Sequence, residues 1–342
     1  VTESTDLVVI GAGPGGLCVA AAARAAGLEA VVLERGSRIG GVWHQVEADL
    51  LCLSPRQRDR LPDGTTPRGE GVRARADEVL RALEEFVDRE QPDIRFGRSA
   101  TRLARGEDGL ELSTEVGAIH APRVVLATGE YGRPRVPGLP GSFAGPAQHT
   151  SEIREADIGD GERVVIVGSG NSAVDLASRL LQRGIPLWIS ARSGIAAAAT
   201  LPGEPLSTLL WWASALPISA LPASLGCSAT VPKVDDDLRT AAADGRLSVV
   251  GETVGLESGA ILVAGGERVE VDRIVWATGF RRDLQWVHGI TLDDDGAPAH
   301  DRGLSTEVPG LAFMGLPCMR NRRSGFLRGF AADARSIVAR LR

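Results

Sequence analysis

An α/β protein made of two dinucleotide-binding folds, the second inserted into the first, is predicted by three observations. A glycine-rich strand–turn–helix pattern occurs twice, at residues 6–26 and 163–183. An apolar strand ending in Ala-Thr-Gly also occurs twice, at residues 124–129 and 274–279. The chain has 342 residues, past the length of about 250–300 at which a single core stops growing.

The first element, residues 6–10, is a short apolar run of the kind that forms a buried parallel strand. It opens into Gly11-Ala-Gly13-Pro14-Gly-Gly16, followed by an Ala-rich segment over 17–26 that reads as helix. Gly11 permits the tight turn, Gly13 lets the backbone approach a pyrophosphate, and Gly16 lets the helix pack close to the sheet. The phosphates then sit at the positive helix N-terminus, beside Pro14. The next strand, 30–33, ends in Glu34, beside Arg35, and a carboxylate there accepts hydrogen bonds from a ribose hydroxyl.

The unit recurs as a strand at 163–167, then Gly168-Ser-Gly170-Asn171-Ser172-Ala173, then a helical pattern over 174–183. The following strand, 186–190, ends near Arg192 instead of an acid. An acid would repel a 2′-phosphate, whereas Arg attracts it by charge and by its forked donors. The contrast between Glu34 and Arg192 assigns FAD to the first fold and NADPH to the second.

The two Ala-Thr-Gly strands supply Thr128 and Gly129, and later Ala277, Thr278 and Gly279. They fit a chain that leaves the first fold and returns to it. The expected division is 1–145 for the FAD-binding domain, with a helical segment near 72–90, then 146–275 for the NADPH-binding domain. Residues 276–342 form the return segment. Between the elements, 61–71 reads as loop and 75–89 has helical periodicity.

Composition excludes several classes. The net charge of −6 argues against a nucleic-acid partner. Cys18, Cys52, Cys227 and Cys318 are far apart with no CxxC pair, so neither a redox dithiol nor a metal site is expected. Cys18 reads as a small core hydrophobe. Residues 206–225 are apolar and uncharged, but Pro217 and Pro222 interrupt them, which favours a packed segment or lid over a membrane span. With no basic leader before the first strand, a cytoplasmic location is expected.

At this point the residues resemble the flavin-containing monooxygenases, two-dinucleotide-fold flavoproteins, over nearly the whole chain. Gly40-Gly41-Val42-Trp43 resembles the family's Gly-Gly-x-Trp, which lies along the FAD. Phe143-Ala-Gly145-Pro-Ala-Gln-His149 resembles the start of its FxGxxxH signature, preceded by a similar linker at 136–141. The tail, with Gly315 and Ser324, resembles the segment that comes back to the flavin. Related disulfide reductases carry Gly-Asp at the last strand to hold the FAD ribityl chain, and here Gly315 is followed by Leu316. Two departures stand out: Ile153 replaces the signature's closing aromatic, and 51–57 lacks the Asn that family members carry over the flavin.

The resemblance implies an NADPH-driven monooxygenase that adds one oxygen atom of O2 to sulfur or nitrogen of a small molecule, through a C4a-hydroperoxyflavin. Alternatives are a Baeyer–Villiger enzyme and a flavin reductase or oxidase passing electrons to a partner or to O2. No single general base is indicated. Ser54, Arg56 and Gln57 are candidates to face the flavin by position, and His149 is the titratable group the signature supplies. Its other role is a hydrogen-bonding one at the turn between folds. Arg320, Arg322 and Arg323 form a basic cluster, read as a solvated run or an anion contact.

Overall fold

The computed structural model describes residues 3–192 and 236–342. The apolar stretch 206–225, Cys227 and the residues around them lie outside that range. The chain divides into two units, and among the described residues the crossings fall at 132/133 and 280/281.

Unit 1 is built on a seven-stranded sheet. Its central order is Leu311–Phe313, Val124–Leu126, Leu7–Ile10, Ala30–Glu34 and Asp93–Phe96. These five strands are all parallel, and two short antiparallel strands complete one edge. The helix Pro14–Ala25 follows the first strand, starting at a proline whose missing N–H costs nothing in the first turn. It packs beside the closing helix Leu327–Leu341. Every side chain of Leu7–Ile10 is buried, which is why that segment reads as an unbroken apolar run. Cys18 and Phe313 lie in the same core.

The helix Ala76–Glu90 has its apolar face, Val79, Leu83 and Phe86, in this core. Full burial of a side chain such as Phe86 contributes about 1.5–3 kcal/mol. Glu78 at its third position accepts the Arg75 N–H at 2.8 Å, satisfying one backbone donor at the start of the helix.

Unit 2 repeats the plan with a five-stranded parallel sheet. Its order is Ala147–His149, Arg273–Trp276, Val164–Val167, Leu187–Ser190 and Leu247–Val250. In both units the fingerprint strand lies between its Ala-Thr-Gly strand and the strand that ends at Glu34 in unit 1 or Ser190 in unit 2. The helix Asn171–Gln182 covers one face, and an antiparallel three-stranded sheet, Thr253–Glu257 with Ala260–Val263 and Arg268–Glu270, packs on the other.

The first crossing lies earlier than the expected 145/146 because residues 133–145 belong with unit 2. Leu139 and Phe143 pack on its core, and Leu256 N–H donates to the Pro140 carbonyl at 2.9 Å. A Cβ on Gly145 would meet the Asp272 carbonyl at 2.5 Å, so the signature glycine is a packing requirement.

Candidate functional site

Both fingerprints close in the same way. Gly11 N–H donates to the Leu33 carbonyl at 2.8 Å, and Gly168 N–H to the Ser190 carbonyl at 2.9 Å. Each leading glycine has positive φ, 107° at Gly11 and 124° at Gly168. A Cβ there would stand 2.5 Å from the Ala127 carbonyl oxygen in unit 1 and 2.3 Å from the Ala277 carbonyl oxygen in unit 2. The Ala-Thr-Gly strands therefore press directly on the turns. Gly129 and Gly279 then reverse the chain, each at φ 77°, a conformation glycine adopts without strain.

The middle glycines have a different reason. A Cβ on Gly13 or Gly170 would meet nothing within 4 Å. Each caps its helix with extended backbone, φ −73° and −77°, and no side chain occupies the cap. Two helix N-termini are thus left with open faces at the carboxyl ends of parallel strands, where anionic dinucleotides bind. Asn171 and Ser172 form the first turn of the second helix.

In unit 1, Glu34 is nearly buried and anchors the turn. Its Oε2 accepts Ala12 N–H at 2.8 Å and its Oε1 accepts Gly36 N–H at 2.7 Å. A carboxylate has about four acceptor sites, so capacity remains for a ribose. Arg35 is exposed beside it. Gly40 N–H donates to the Ala12 carbonyl at 3.0 Å, and Gly41 lies over the Gly13 Cα. That brings Gly41–His44, a short 3-10 turn carrying Val42 and Trp43, against the fingerprint loop.

In unit 2 the register corrects the sequence comparison. The residue after the strand position bonded to the turn is Glu34 in the first fold and Ala191 in the second. The counterpart of Arg192 is Arg35, so Arg192 does not replace Glu34. No carboxylate stands at the position of unit 2 that corresponds to Glu34. Arg192 is 83% exposed, with Glu252 Oε1 at 4.0 Å from its Nε. Counting from the leading glycine would have found this, since the spacing is the same in both repeats.

The segment after Trp43 is turned inward more than expected. Arg56 is buried, donates to the carbonyls of Pro67, Glu70, Gly71 and Arg73, and pairs with Glu78 at 3.2 Å. A buried guanidinium requires such acceptors, so Arg56 is a tie for the 67–73 loop. Ser54, also buried, donates to Asp59 Oδ1 at 2.6 Å. Asp59 has no exposed surface and its Oδ2 has no hydrogen-bond partner. Burial pushes its carboxyl up to about 6, against the lowering effects of Ser54 and Arg328. Gln57 is exposed.

His149 has both ring nitrogens engaged. Ser151 N–H donates to Nδ1 at 3.2 Å, which leaves the proton on Nε2, and this donates to the Gly279 carbonyl at 3.0 Å. The ring is buried, meets Phe280 edge-on, and is held below the ordinary imidazole range by that burial. Arg135 N–H shares the same carbonyl, and Thr278 Oγ1 donates to the Arg135 carbonyl. The signature histidine thus fastens the second Ala-Thr-Gly turn. Ile153, where an aromatic was expected, is buried in the unit 2 core.

In the tail, Ser324 is buried and its hydroxyl accepts Arg320 N–H at 3.1 Å. Arg320 Nε binds Asp333 at 2.9 Å, and Asp333 has no exposed surface. The Arg320 member of the basic cluster is therefore a half-buried charge paired with a fully buried carboxylate. Gly315 turns the chain at φ 87° next to Met314. A further ion pair, Glu130 with Arg282, was not foreseen, because its members are 152 residues apart.

The profile of the pyridine nucleotide-disulphide oxidoreductases matches residues 8–202, more than half of the chain. The chain belongs to that family. It is an oxidoreductase. A CzcO-like oxidoreductase of Geobacillus kaustophilus is 26% identical over 97% of both chains. The indole-3-pyruvate monooxygenase YUCCA8 of Oryza sativa subsp. indica is 26% identical over 97% of this chain and 89% of its own. A flavin-containing monooxygenase from Stenotrophomonas maltophilia superposes with a TM-score of 0.83 at 24% identity, covering 99% of this chain and 98% of its own. Flavin monooxygenases of this family use FAD and NADPH.

Cys18 and Cys52 of unit 1 are free thiols, whereas Cys318 is disulfide-bonded. Cys18 and Cys52 are buried, and burial drives the Cys18 thiol far above its ordinary range and the Cys52 thiol to about 12. Among the described residues no group of side chains could hold a metal ion, and no helix is long and apolar enough to cross a membrane.

Proposed function

We propose that the chain is an NADPH-dependent, FAD-containing monooxygenase that places one oxygen atom of O2 on a sulfur or nitrogen of a small organic molecule. The carrying observation is the pair of open glycine turns at Gly13 and Gly170, each at a helix N-terminus and each closed behind by its own Ala-Thr-Gly strand. FAD, when bound, supplies the chemistry of accepting a hydride and passing electrons to O2.

The chain's residues bind and orient. In the first fold the Gly13 turn receives the pyrophosphate and Glu34 receives the ribose, while Gly41, Val42 and Trp43 lie along the same loop. In the second fold Ala191 leaves space and no opposing charge where a 2′-phosphate must fit, and the exposed Arg192 adds an attractive one. Glu252 moderates that attraction. His149 acts on this fold through the Gly279 turn and exchanges no proton with substrate.

The test is a balance sheet of the FAD-loaded protein with NADPH, O2 and a panel of sulfides and amines. Oxygenated product matching NADPH consumed, with little hydrogen peroxide, is expected for at least one class. Conversion of all NADPH to hydrogen peroxide with every compound would replace this reading by the oxidase or reductase one. That second reading draws on Ser54: its hydroxyl is committed to Asp59, and no asparagine stands in its segment.

A further inference from the structure

The C-terminal edge of the unit 1 sheet carries a small niche that the fingerprint does not explain. It lies between the ends of Val124–Leu126 and Leu311–Phe313, with Gly129 and Gly315 on its rim and Leu284 in its wall. Its charged members are Glu130 and Arg282, which precede and follow the inserted unit in sequence and pair with each other. The Arg282 side chain is only 15% exposed, and its Nε is buried without a hydrogen-bond acceptor. Burial raises the Glu130 carboxyl above its ordinary range, offset in part by Arg282.

The chemistry of this pair selects its ligand. A phosphate would gain from Arg282 but meet the Glu130 carboxylate. An apolar group would leave the buried N–H unsatisfied. A hydroxyl satisfies both, because it accepts from Nε–H and donates to a carboxylate.

Position along the sheet edge selects which hydroxyl. The strand order places Glu34, then the Gly11–Gly13 turn, then the niche, in succession across neighbouring strands. Strands are spaced about 4.8 Å apart. FAD has the same succession of groups: ribose, pyrophosphate, then the ribityl polyol. Leu316, which follows Gly315, offers no polar side chain for that polyol. We propose that the Glu130–Arg282 pair is a hydroxyl-binding subsite that holds the ribityl chain of FAD. This rests on the assignment of FAD to the first fold.

The experiment compares FAD with ADP, which has the ribose and pyrophosphate but no ribityl chain, by calorimetric titration of apoprotein. Arg282→Met is expected to weaken FAD by about tenfold or more, the usual range for a lost hydrogen bond to a charged group. ADP affinity should stay within about twofold. FAD lacking a ribityl hydroxyl should bind wild type more weakly than FAD does, and Arg282→Met should discriminate less. Equal losses for ADP and FAD would show a purely structural pair and overturn the subsite, as would an unchanged FAD affinity. If the Met variant does not fold, Arg282→Gln, whose shorter amide does not reach the same point, carries the same expectations. Wild-type protein that takes ADP but not FAD would overturn the FAD assignment itself, a result separable from any variant outcome.

Discussion

The first fold has glycine at all three fingerprint positions, whereas the second has Ala173 at the third. A Cβ on Gly16 would sit 1.9 Å from the Gly11 carbonyl oxygen, so in unit 1 the helix lies against its own turn and only glycine fits. In unit 2 a buried methyl group occupies the equivalent place without conflict. The ribose side differs in the opposite sense. Unit 1 has a carboxylate tied to two backbone amides, and unit 2 has an alanine followed by an exposed arginine. The shared parts, Gly11 with Gly168 and Gly13 with Gly170, are those that any pyrophosphate needs. The differing parts are those that can tell one dinucleotide from another.

The largest expected effect would break that comparison at the third position. Gly16→Ala should destabilise unit 1 by about 3 kcal/mol, since the clash is with backbone, and should eliminate FAD binding. Ala173→Gly should cost about 1 kcal/mol of helix stability and leave dinucleotide binding in place. Thermal melts of the two variants, with and without FAD, measure both. Similar losses in the two variants would mean that the third position does not distinguish the folds.

Gly13→Val should abolish FAD binding while the apoprotein melts nearly as wild type does, because the added side chain enters open space. Yellow protein with a normal flavin content would remove the first fingerprint from the site. Gly170→Val should do the same to NADPH binding and leave the flavin in place.

The units should also titrate in opposite directions. Asp59, in unit 1, has its folded pKa raised to about 6. Its contribution to stability is fully present below about pH 4 and is lost as pH rises through 6. The shift corresponds to about 3 kcal/mol, so Asp59→Asn should gain relative stability of that order between pH 4 and pH 7. Asp272, in unit 2, is held at about 2, first by the Arg163 side chain. Its contribution is present above about pH 4 and is lost as pH falls through 2. Denaturant titrations of Asp59→Asn at several pH values decide the first case, and a pH-independent difference from wild type would refute it.

The smallest effect is expected at the exposed arginine. Arg192→Ala should raise the KM for NADPH by about tenfold, in line with one charge-assisted contact, and leave NADH nearly unchanged. Glu252→Gln should lower the NADPH KM severalfold by removing the nearby carboxylate. Equal changes for both nucleotides would dissociate Arg192 from the 2′-phosphate.

Much of each fold is legible in the sequence because its determinants are local. A strand buried on both faces must be apolar throughout, as Leu7–Ile10 and Val164–Val167 are. A turn at positive φ pressed by a neighbouring carbonyl admits only glycine, as at Gly11 and Gly168. Spacing within one strand–turn–helix unit therefore determined the two fingerprints and the place of Glu34. The tertiary structure decided what depends on partners distant in sequence. Arg56 turns inward because the 67–73 loop brings four carbonyls to it, and His149 is fastened by a carbonyl 130 residues away. Arg320 is neutralised by Asp333, and Glu130 meets Arg282 only after the whole second unit has been traversed. Side-chain charge is visible in a sequence, but whether that charge faces water, a partner or a ligand is set by packing.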